Sequence, residues 1–60
     1  MITRITDIEY DENKGYYSFE VFEHKGNNDF DSFKVIDKSF EATKEKRFVY
    51  AMKMKKQGEE

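Results

Sequence analysis

The sequence predicts a mainly β, or α+β, domain. The expected architecture is a small antiparallel sheet of three to four strands in meander order, with a short helix or a longer C-terminal helix between Ser39 and Gln57. Three observations carry this expectation. The stretch Tyr16-Tyr17-Ser18-Phe19-Glu20-Val21-Phe22-Glu23 gathers two tyrosines, two phenylalanines and a valine between two turn signals. Aromatic residues make up 17% of a chain that is also 40% charged, a combination uncommon in disordered proteins. Proline, which would interrupt a central strand, does not occur.

Taken in order, Ile2 to Tyr10 is rich in β-branched residues, and Thr6, Ile8 and Tyr10 alternate with Asp7, Glu9 and Asp11. That is the pattern of a half-buried strand with one acidic face. The isoleucines at 2, 5 and 8 would also suit a helix, but the intervening threonines oppose one. The polar run Asp11-Glu12-Asn13-Lys14-Gly15 closes on a glycine able to take positive φ, so it is expected to be a hairpin loop. Tyr16 to Glu23 follows as the central strand. The two-residue strand period puts Tyr17, Phe19 and Val21 on the core face and Tyr16, Ser18, Glu20 and Phe22 on the other. Gly26-Asn27-Asn28-Asp29 is the strongest turn signal in the chain and predicts a second hairpin, whose outgoing strand, about Phe30 to Ile36, turns Phe33 and Val35 to one face.

The last third supports two readings. Helix-forming composition, Ser39 as a cap and Gly58 as a stop favour one helix. Strand alternation favours the other reading by a little, with Phe48, Tyr50, Met52 and Met54 on one face and Arg47, Val49, Ala51, Lys53 and Lys55 on the opposite one. In that case Ser39 to Lys46 is a short helix or polar loop. Residues 1–57 are expected to form a single domain and 58–60 a frayed tail, with the fraying reaching back to Gln57.

A domain this small has a marginal core and normally relies on a disulfide, a metal or a second subunit. Cysteine is absent and His24 is the only histidine, so a homodimer is the expected staple and no metal or cofactor is expected. An EF-hand beginning at Asp7 fails, because Glu12 and Ser18 stand where its glycine and its bidentate glutamate belong. Catalysis has little to draw on: His24 is a lone candidate acid or base, no serine lies in a nucleophile elbow, and no glycine-rich phosphate loop occurs. With no cysteine framework and no apolar run for a signal or a membrane span, a cytoplasmic, non-enzymatic protein is expected.

Charge is asymmetric along the chain. Met1 to Asp31 holds eight acidic and three basic residues, whereas Ser32 to Gly58 holds eight basic and three acidic. Two binding roles follow. The first is a protein-binding regulator or inhibitor, of the accessory kind found in bacteria and their viruses, that blocks a host defence or transcription protein. It would dock on this larger partner through the acidic Asp7, Glu9 and Asp11 and the aromatic Tyr10, Tyr16 and Phe22, with Phe30 a further candidate for uncovered aromatic surface. The second is a nucleic-acid-binding module using Lys44, Arg47, Lys53, Lys55 and Lys56 beside the aromatic Phe48 and Tyr50.

Overall fold

The computed structural model describes residues 1–58, which form four strands and one helix: β1 (Ile2–Ile5), β2 (Glu9–Asp11), β3 (Tyr16–Gly26), β4 (Asp29–Asp37) and α1 (Phe40–Gly58). β3 is the centre of an antiparallel sheet. β4 pairs along one side of it, and β1 and β2 follow one another along the other side. The tail expected over 58–60 lies, beyond Gly58, outside the described residues.

Both hairpin turns obey their local chemistry. In the first, the Asp11 carboxylate accepts from the backbone N–H groups of Asn13 and Lys14 at 2.9 and 3.1 Å, and Gly15 closes the loop at φ 71°. In the second, Asn27 and Asn28 take φ of 48° and 67°, the pair of positive values that a two-residue type I′ turn needs to match the twist of its strands.

The first strand is not the unbroken run that alternation implies. Ile2 opposes Glu23 but Arg4 opposes Phe22, so Thr3 is an extra residue. Thr6 lies against Glu20, donating its N–H to the Glu20 carbonyl at 3.0 Å and accepting the Glu20 N–H on its hydroxyl at 2.8 Å. Glu9 opposes Ser18, which leaves Asp7 and Ile8 together facing the single residue Phe19. Each insertion behaves as a β-bulge and resets which face the side chains take.

The last third is a helix, and the fourth strand favoured by its alternation does not form there. Ser39 caps it: its hydroxyl accepts the Ala42 N–H at 3.3 Å, and its carbonyl accepts both the N–H and the hydroxyl of the buried Thr43. Asp37 fastens the entry, accepting the Ser39 N–H at 2.9 Å and pairing with Lys46 at 2.8 Å. Gln57, expected to fray, lies inside the helix and is hydrogen-bonded to Ile2.

α1 packs on one face of the sheet, against β1, β3 and β4. Ile2, Phe19 and Val21 are buried there, with Ile5, Ile8, Val35 and Tyr50 packed around them. Tyr50 reaches Phe19 and Phe33 edge-on, with ring centroids 6.1 and 5.7 Å apart, and Phe40 meets Tyr17 at 5.4 Å. Tyr17, Phe19 and Val21 therefore form the core face, as their spacing predicts.

Candidate protein-binding surface

Among the described residues no element covers the opposite face of the sheet, and strand register fixes what it carries. Ser18 sits between Glu9 and Ile36, Glu20 opposes Lys34, Phe22 lies between Arg4 and Ser32, His24 opposes Phe30, and Asp11 opposes Tyr16. One end is aromatic and cationic: the Arg4 guanidinium lies 5.3 Å from the Phe22 ring centroid, and the His24 and Phe30 rings are 4.7 Å apart. The other end is acidic, with Glu9, Asp11 and Tyr16 at the mouth of the first loop. Phe30 is 66% exposed and Ile36 44%. Comparison with protein-family models, with curated proteins and with solved structures finds no match.

Of the side chains picked out from the sequence, Glu9, Asp11, Tyr16 and Phe22 share this open face, the first three at one end and Phe22 toward the other. Asp11 divides its role, since one carboxylate oxygen holds the loop backbone. Two of the expected group lie elsewhere. Asp7 does not share a face with Glu9 and Asp11, because the bulge at 7–8 turns it toward α1, where its carboxylate is 3.6 Å from the Arg47 guanidinium. Tyr10 pairs with Tyr17 on the helix side, with ring centroids 4.7 Å apart, and remains exposed at the sheet's edge. Arg4 and Ile36 join the surface without having been singled out. The bulge at Thr3 takes Arg4 to the opposite face from Ile2, and such a phase slip leaves no mark in composition.

The basic candidates divide in the same way. Lys44, Lys53, Lys55 and Lys56 are exposed along α1. Arg47 is instead a strut: its Nε donates to the Thr6 carbonyl at 2.8 Å, satisfying a group that the broken strand turns away from β3. Tyr50 is packed into the core, so it offers no stacking platform, and Lys53 lies over its ring at 5.1 Å. At the hairpin end, the Lys25 ammonium 3.2 Å from Asp31 holds that carboxyl below its ordinary range and raises the lysine in return.

Among the described residues no three His, Cys, Asp or Glu side chains converge to hold a metal ion. No helix there is long and apolar enough to cross a membrane. What the open face offers chemically is two patches, Tyr16 and Ile36 beside the carboxylates of Glu9 and Asp11 at one end and Phe22, His24 and Phe30 beside the Arg4 guanidinium at the other, with Glu20 and Lys34 between them.

Proposed function

We propose that the protein works by binding: it docks on a larger host or cellular protein through the open face of its sheet and regulates or inhibits that partner in the cytoplasm. One observation carries the reading. α1 covers one side of the sheet, while Tyr16, Phe22, Phe30 and Ile36 stand on the side that no described element covers. Tyr16 and Ile36 at one end of this face and Phe22 and Phe30 at the other give it exposed apolar area, and aromatic side chains are enriched at protein contact surfaces. Glu9 and Asp11 at one end fit a partner whose contact surface has a basic rim, and they orient the approach.

Nucleic-acid binding draws less support. Lys44, Lys53, Lys55 and Lys56 share their helix with Glu41 and Glu45, and Tyr50, one of the two aromatics expected to stack beside them, is packed into the core.

Affinity capture from cell extract, using the wild-type protein and a Glu9→Lys/Phe30→Ser variant, tests the proposal. Both positions are exposed, so the variant should keep the wild-type circular dichroism spectrum. A partner retained at physiological salt should bind the variant at least about tenfold more weakly, the combined loss expected when a charged and an aromatic contact are both removed. Equal retention by the variant would remove the open face from the mechanism. Saturable oligonucleotide binding that loses about one unit of salt slope per neutralised lysine would replace the reading with the nucleic-acid one.

A further inference from the structure

α1 carries a second apolar surface, on the side turned away from the sheet. Phe48 is 65% exposed, Val49 50% and Met52 46%, and these three adjoin one another by helical spacing. A helix that covers one sheet is ordinarily polar on its outer side, and apolar character on both sides marks a helix buried on both. The rest of the molecule agrees. The accessible surface is 4810 Å², against about 4,200 Å² for a folded monomer of this size. Only Ile2, Phe19 and Val21 are buried apolar residues among those described.

The charges around this patch identify its occupant. On the N-terminal side it is bordered by Glu41 and Glu45, on the C-terminal side by Lys53, Lys55 and Lys56. Glu41 and Lys56 are equidistant from the midpoint between Phe48 and Val49, and Glu45 and Lys53 are equidistant from Val49. A surface acidic at one end, apolar in the middle and basic at the other is its own complement when a second copy is turned end for end. Such self-matching is what a two-fold interface requires.

We infer that the outer face of α1 is a homodimer interface in which two copies of the helix pack antiparallel about a two-fold axis near Val49. Phe48 of each copy then lies against Phe48 and Met52 of the other, and Val49 faces its own counterpart. Glu41 and Glu45 meet Lys56 and Lys53 across the axis. Lys44, on the opposite flank of the stripe from Lys53, is the one like-charged approach, toward Lys55 of the other copy. This surface is on the far side of α1 from the sheet, so the inference does not depend on the docking role of the open face.

Sedimentation equilibrium and cysteine cross-linking test it. The wild-type protein should sediment as a dimer at tens of micromolar. Phe48→Glu, at a position 65% exposed and outside the core, should raise the dimer dissociation constant at least a hundredfold while leaving circular dichroism unchanged. The chain has no cysteine, so Val49→Cys introduces the only thiol, and on oxidation it should form a disulfide-linked dimer in high yield. Glu41→Cys should not link to itself, because the antiparallel arrangement holds the two copies of that position apart. A monomeric wild type, a Phe48→Glu variant that still dimerises, self-linking at Glu41→Cys, or monomers that gather on oligonucleotides or anionic vesicles through this helix would each overturn it.

Discussion

The side-chain amide of Gln57 accepts the Ile2 N–H at 2.9 Å and donates to the Ile2 carbonyl at 3.0 Å. Ile2 lies on an edge strand, and these are the groups it turns away from β3, so a helical side chain takes the place of a missing neighbouring strand. Unpaired edge groups invite pairing with other chains, and this amide blocks that at β1. Arg47 does the same at the next irregularity, where the Thr6 carbonyl would otherwise lack a partner. A buried donor or acceptor left unsatisfied costs about 1–3 kcal/mol. Gln57→Ala exposes two such groups partly to water, so it should lower unfolding stability by about 2 kcal/mol, read as a reduced urea midpoint with an unchanged slope. A loss below about 0.5 kcal/mol would show that water replaces the amide without penalty.

Among the elements, the first strand and the helix show best what the sequence makes legible. Ile2, Ile5 and Ile8 recur every third residue, a spacing that fits no regular strand. One inserted residue at Thr3 and another at Asp7–Ile8 bring all three onto the core face. Strand and loop positions were readable, as were both hairpins and the division of faces along β3, because turn residues and the two-residue period act locally. The placement of Asp7 and Arg4 was not, because a bulge is set by what the neighbouring strand and helix offer. α1 was misleading for a related reason: its apolar residues serve both the sheet and its own outer surface, so no single stripe emerges and Phe48 to Met54 alternates like a strand. Its entry supplies a pH dependence. The Lys46 ammonium and then the Ser39 N–H hold the Asp37 carboxyl below its ordinary range. A carboxyl lowered in the folded state contributes stability in full above its unfolded value, near pH 4, and loses that contribution as pH falls through the folded value. Asp37→Asn should therefore reduce the steepness of the stability loss between about pH 4 and pH 2, and Asp31, lowered by Lys25, acts in the same direction. Superimposable acid-unfolding profiles for the two proteins would assign the acid response elsewhere.

At the scale of the whole molecule, the pairings differ sharply in how much chain separates them. β3 and β4 are joined by two residues, whereas β1 reaches its helix contacts only after nearly the full length of the chain has been ordered. Ring closure grows costlier with the length of chain enclosed, so short-range pairing is favoured early in folding. The Asn27-Asn28 turn already holds the two positive φ values its strands require. We therefore expect this turn to form early and the Gln57 contact late in folding. In stopped-flow kinetics Asn28→Ala, which forces a Cβ-bearing residue without asparagine's tolerance into that conformation, should slow refolding by nearly its whole effect on stability. Gln57→Ala should leave the refolding rate almost unchanged and accelerate unfolding instead. The reverse pattern would mean that the chain closes its ends before it turns its corner. A two-residue turn described by a pair of dihedral angles thus acquires a place in time, as the point from which the sheet is read out.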